Sequence, residues 1–266
     1  MQTIEKGLQF LRQNQSADGT FSIKAGPGLT ALAITAAIRC GEPLDSPMVR
    51  KGLAALEAFV KPDGGIYGMG RLTNYETCIA ILCFVEANAS GNYNKILQDA
   101  KKFVTGIQYG SAAESTRADD VWNGGVGYGG KGRPDLSNTA YLIEALRAVD
   151  AGPDDPAIQA ALAFVSRCQN LEGEHNKTEF AAKINDGGFY YELPKDRIDT
   201  SKNEESYTPD GGIRSYGSMS YAGYKSMVYA GLNASDPRVA AATKWIRKNY
   251  TVNDNPGKGQ AGVYYY

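Results

Sequence analysis

The chain is short of histidine and tryptophan and carries no excess charge of either sign. Its 266 residues include 1 His, 2 Trp and 4 Cys, and 28 Lys and Arg nearly cancel 29 Asp and Glu, leaving a formal charge of -1. One histidine, His175, argues against a catalytic zinc, which takes three protein ligands. No metal or cofactor is therefore expected. The cysteines Cys40, Cys78, Cys83 and Cys168 show no CxxC spacing and lie in or at the end of helical stretches, where a free thiol behaves as a small hydrophobe. Balanced charge gives no electrostatic ground for binding nucleic acid or an anionic membrane surface. No window approaches the ~18 continuous apolar residues needed to span a bilayer, so no transmembrane segment is expected. Met1 to Lys6 lead straight into an amphipathic pattern with no signal-peptide character, and nothing in the sequence sets a compartment.

What the chain has in quantity is glycine (31) and tyrosine (17), concentrated between helical stretches. They mark an internal repeat. Lys6-Gly7-Leu8-Gln9-Phe10-Leu11 leads through Gln15 to Asp18-Gly19-Thr20-Phe21, and Lys51-Gly52-Leu53-Ala54-Ala55-Leu56 leads to Asp63-Gly64-Gly65-Ile66-Tyr67. Further copies carry Phe103-Val104, Gln108 and Asn123-Gly124-Gly125, then Phe164-Val165, Gln169 and Asp186-Gly187-Gly188-Phe189-Tyr190. A fifth carries Trp245-Ile246 and Gly262-Val263-Tyr264. Each copy opens on an amphipathic helix, with Ile4, Leu8 and Leu11 at helical spacing. After the glycine turn comes a second helix apolar nearly all round, at 29–38, 77–85, 139–149 and 219–229. A helix apolar on every side has to be enclosed, so two layers are expected with the second helices inside. The stretch at about 170–209, rich in Glu, Lys, Asn and Asp, reads as a polar loop insertion in this single repeat domain.

The string from Lys6 to Phe21 resembles the QW repeat of terpenoid cyclases and the related repeat of protein-prenyltransferase β subunits: a basic residue, a small residue, an aromatic, an aliphatic, a Gln, then Gly and an aromatic. Phe21 and Tyr67 stand where cyclases usually have Trp. The resemblance runs over essentially the whole chain. It implies an all-α fold, an α/α toroid of inner and outer helices around an apolar cavity, with isoprenoid chemistry as the ancestral use. Five outer and four inner helices imply a ring that is incomplete in this chain.

The same resemblance points to the inner-helix starts for chemistry. Class II cyclases carry DxDDTA there, with the middle Asp as the proton donor. This chain has Asp135-Leu136-Ser137-Asn138-Thr139-Ala140, so Ser137 and Asn138 replace two of the acids, and neither can protonate an alkene. Asp135 remains the candidate acid, although Asp, Ser and Asn are equally helix-capping residues. Asn74, Tyr75 and Glu76 start another such helix, and Arg214, Tyr216, Ser218 and Tyr221 lead into a third. Together with Asp135, Ser137 and Asn138 they are the expected ligand-facing set, with tyrosine rings suited to an apolar or cationic ligand. Prenyltransferases hold zinc with Asp, Cys and His at an inner-helix start, and no such set is present here. The expected function is binding of an isoprenoid or other hydrophobic ligand without the cyclase acid. The alternatives are a divergent cyclase or prenyltransferase and a protein-interaction or scaffold domain.

Overall fold

The structure is a computed structural model that describes residues 2–22, 24, 26–111, 120–129, 132–194 and 205–263. It is all-α, with no strand among the described residues beyond isolated bridges. The first helices of the five copies are α1 (Gln2–Asn14), α3 (Pro47–Glu57), α5 (Asn94–Gly106), α7 (Pro156–Arg167) and α10 (Pro237–Asn249). The second helices are α2 (Pro27–Arg39), α4 (Thr73–Ala87), α6 (Leu136–Ala148) and α9 (Gly217–Tyr229), and α8 (Ala181–Ile184) is a single turn. Each apolar stretch expected from the sequence falls on a second helix. Three first helices begin alike: Ser46, Asp155 and Asp236 accept backbone N–H groups of the first turn, and each is followed by proline. Proline there loses nothing, because the N–H it lacks would have no helical partner. No helix among the described residues is long and apolar enough to cross a membrane.

The glycine turn is one hydrogen-bonded unit used repeatedly. Ser16 N–H donates to Thr20 O (2.8 Å) and Gly19 N–H to Ser16 O (2.9 Å); Lys61 N–H donates to Gly65 O (2.8 Å) and Gly64 N–H to Lys61 O (3.0 Å). In the next two copies the same bonds close around extra chain. Tyr109 N–H reaches Gly125 O (3.0 Å) with Gly124 N–H to Tyr109 O (2.8 Å), and Asn170 and Gly188 are joined through the same pair of bonds at 2.8 Å. The insertions are thus spliced into an intact turn. A further turn of this kind, Thr208 to Gly212, has the sequence Pro209-Asp210-Gly211-Gly212-Ile213, matching Pro62 to Ile66 letter for letter.

The stretch at about 170–209 is accordingly not one solvated loop. Asn170 and Asn176 are buried, with amides bonded to Ile213 O (2.7 Å) and Gln169 O (2.7 Å), because a chain this polar buries its amides only where carbonyls meet them. Residues 195–204 of it lie outside the described residues. So does Tyr264 of the fifth copy's glycine turn.

Two side-chain devices tie the copies together. The glutamine before the turn bridges the turn glycine to the next first helix. Gln15 Nε2 donates to Gly19 O and Met48 O (2.9 Å each), Gln108 Nε2 to Gly124 O (2.8 Å) and Ala157 O (3.0 Å), and Gln169 Nε2 to Gly187 O and Arg238 O (2.9 Å each). The second device is a hydroxyl in the first turn of each second helix. It accepts the N–H two residues beyond the turn glycine: Phe21 to Thr30 (3.1 Å), Ile66 to Thr77 (2.9 Å), Val126 to Thr139 (3.2 Å) and Phe189 to Ser220 (3.1 Å). Thr139 and Ser220 then donate to the carbonyl four residues back, so the hydroxyl is satisfied in both directions.

Packing contacts fall into two compact units, residues 1–107, 128–132 and 144–150 in one, and 108–127, 133–143 and 151–266 in the other. In unit 1, α2 packs on α3 and α4, and α4 on α5; in unit 2, α9 packs on α7 and α10. The expected enclosure of the second helices holds for α4, where Ile79, Ile81, Cys83 and Phe84 are buried. It does not hold for α2 or α9. Leu29 and Leu32 on one side of α2 are 48% and 40% exposed, and Val228 and Tyr229 end α9 in the open. Apolar composition made these helices look enclosed, but among the described residues one side of α2 and the end of α9 are left exposed. Of the cysteines, Cys78, Cys83 and Cys168 are buried free thiols, while Cys40, the cap of α2, is exposed.

Candidate functional site

In unit 2, Asp135 lies one residue before α6 and is buried. Its Oδ1 accepts Asn138 N–H (2.8 Å) and Ser137 Oγ–H (2.7 Å), its Oδ2 accepts Asn138 Nδ2–H (2.8 Å), and Tyr191 makes a further side-chain bond to it. That is a helix cap, with the Ser137 and Asn138 side chains donating to it as well. Burial pushes the Asp135 carboxyl above its ordinary value, against the pull of those donors. The site brings Asp135, Ser137 and Asn138 together, with Ser137 and Asn138 as donors closing on the Asp135 carboxyl. Both carboxyl oxygens accept hydrogen bonds within the protein. Thr139, the closing Thr of the motif frame, does what Thr30 and Thr77 do in copies with no acidic motif.

Around Asp135 lie Glu192, Arg133 and Lys258, which the sequence did not single out, and Tyr216, which it did. Glu192 pairs with Arg133, and burial nonetheless raises its carboxyl. Tyr216, immediately before α9, is raised by burial first and then by the negative charges of Glu192 and Asp135. Lys258 Nζ lies over the Tyr216 ring at 5.3 Å. Arg214 is exposed and Tyr221 half-buried, whereas Ser218 is engaged by Asn255, which takes its N–H (2.9 Å) and donates to its hydroxyl (3.1 Å).

In unit 1, Asn74, Tyr75 and Glu76 form the first turn of α4. Asn74 N–H donates to Tyr128 O (3.0 Å), its Oδ1 accepts the Cys78 thiol (3.4 Å), and the Tyr75 and Tyr128 rings lie 6.2 Å apart. Glu76 is different. Its residue is 4% exposed, its Oε2 accepts Gly68 N–H (2.8 Å), and its carboxyl lines an open cavity of about 430 Å³ together with Lys24, Arg71, Phe59, Met69 and Leu72. Burial raises the Glu76 carboxyl, which the Gly68 N–H and then Lys61 partly offset. Lys24, Arg71 and Gly68 had no signal in the sequence, since each comes from a loop with no periodic pattern.

His175 is partly exposed beside Glu174 at 3.0 Å. Among the described residues no three of His, Cys, Asp and Glu come close enough to hold a metal ion. No family model matches the chain, and no curated protein matches it in sequence.

Proposed function

We propose that the chain is a cyclase-like repeat scaffold, of the terpenoid-cyclase and protein-prenyltransferase type with helices arranged as an α/α toroid, that binds an isoprenoid or other hydrophobic ligand without protonating it. The observation that carries this reading is the state of Asp135. A class II acid has to offer its proton to an alkene, and this carboxyl is turned inward onto Ser137, Asn138 and the helix end. The repeat supports the architecture. Gln15, Gln108 and Gln169 bridge turn to helix in the same way, at the Gln position that defines the resembling motif. The reading includes no metal, no cofactor and no nucleic acid.

The test is binding. Titration of the folded protein with farnesol and with squalene in mild detergent, followed by tryptophan fluorescence and by native mass spectrometry, should give saturable binding with the ligand recovered unchanged. Absence of saturable binding by either method would remove the ligand-binding reading and leave the scaffold alternative.

A further inference from the structure

We infer that the cavity of unit 1 is a binding site for a zwitterion of amino-acid size with an apolar side chain. The inference does not rest on the cyclase-like reading, since it uses only the residues of one cavity. Three features of the site lead to it.

First, charges of both signs line the same small space without neutralising one another. Glu76 forms no ion pair with a described residue, and neither Lys24 nor Arg71 does. Lys61 and the Gly68 N–H offset the burial of the Glu76 carboxyl only in part, and a cationic group arriving from outside offsets the rest. Second, the carboxyl is seated. Gly68 N–H holds Oε2, and the opposite side is cleared by Gly26 (φ 67°), where a Cβ would come within 2.0 Å of Oε1. Gly68 and Gly26 also face one another closely, a Cβ on Gly68 falling 3.3 Å from the Gly26 Cα. A side chain at Gly26 would displace the carboxyl, and one at Gly68 would press on the Gly26 backbone beside it. Third, the remaining wall is apolar, made by Phe59, Met69 and Leu72. An ammonium at Glu76, a carboxylate at Lys24 and Arg71, and an apolar side chain on that wall satisfy all three features. A cavity of about 430 Å³ is within the range of small-molecule sites and accommodates an amino acid or dipeptide.

Charge recognition here is divided between two ends of the ligand, which sets the experiment. Isothermal titration of the full chain would compare L-phenylalanine with phenethylamine, which lacks the carboxylate, and with 3-phenylpropionate, which lacks the ammonium. Phenylalanine should bind, and each one-ended analogue should bind at least about tenfold more weakly. Glu76→Gln, which keeps the size of the side chain, should weaken phenylalanine at least about tenfold with an unchanged helical spectrum and melting temperature. Arg71→Ala, at a loop residue exposed to solvent, should weaken it without affecting folding. No heat from phenylalanine up to about 10 mM with folded protein would overturn the inference. So would phenethylamine binding as tightly as phenylalanine, or Glu76→Gln binding like the wild type.

Discussion

Asp135 shows how one residue divides two functional accounts. If it is a cap, its worth lies in the N–H and side-chain donors it satisfies. Asp135→Asn keeps a capping oxygen and should leave stability within about 1 kcal/mol, while Asp135→Ala should lose about 1–2 kcal/mol more by denaturant titration. The pH dependence gives a second reading of the same group. Burial raises the folded carboxyl, so the folded state binds its proton more readily than the unfolded chain does. Asp135 therefore costs nothing below the ordinary carboxylate value, and its cost sets in as pH rises from there through the raised folded value. Replacing it with Asn should make the variant gain relative to wild type across that window, and a difference curve that is flat from acid to neutral pH would show the carboxyl to be unperturbed. The buried hydroxyls are tested at Thr139. Thr139→Val leaves the Val126 N–H without its partner and should cost about 1–3 kcal/mol, most of it restored by Thr139→Ser. The sequence offered Asp135, Ser137 and Asn138 by their letters, but not the direction of their bonds. The Thr-Ala match with the cyclase motif carried less than its letters implied, because Thr30-Ala31 repeats it in a copy with no acid.

At the scale of the elements, the turn and its clamp decide how one repeat meets the next. Gly19, Gly64, Gly124 and Gly187 all have φ between 83° and 89°, and a Cβ at Gly124 would fall 1.8 Å from Ala160 O. Gly124→Ala combines left-handed strain with backbone overlap and should cost about 3 kcal/mol or more. Gly41→Ala has the same kind of φ, 91°, with nothing within 4 Å, and should cost about 1 kcal/mol. Equal losses at the two positions would show that strain alone matters and that the docking of the turn does not. Helices and turns were legible because their causes are local: apolar spacing, Asp-Gly pairs, and the Ser46-Pro47, Asp155-Pro156 and Asp236-Pro237 starts. The insertions were not. Tyr109 and Gly125 close one turn although separated by 16 positions, and no local pattern announces such a bond. The exposed sides of α2 and α9 were missed for a related reason, since composition records that a helix is apolar and not which neighbours it has.

For the molecule as a whole, the all-α repeat was legible from five copies of one pattern, whereas the cavity of unit 1 was not. Glu76 could be named from its place at a helix start, but Lys24, Arg71 and the two glycines that seat its carboxyl join it only through tertiary folding. The central claim is that this repeat binds and does not protonate. It is tested most directly by incubating wild type and Asp135→Asn with squalene and with prenyl diphosphates and analysing the extracts for cyclised, hydrated or transferred products. The account predicts no product above the protein-free control from either form. Product made by the wild type and abolished in Asp135→Asn would contradict it and make Asp135 the acid.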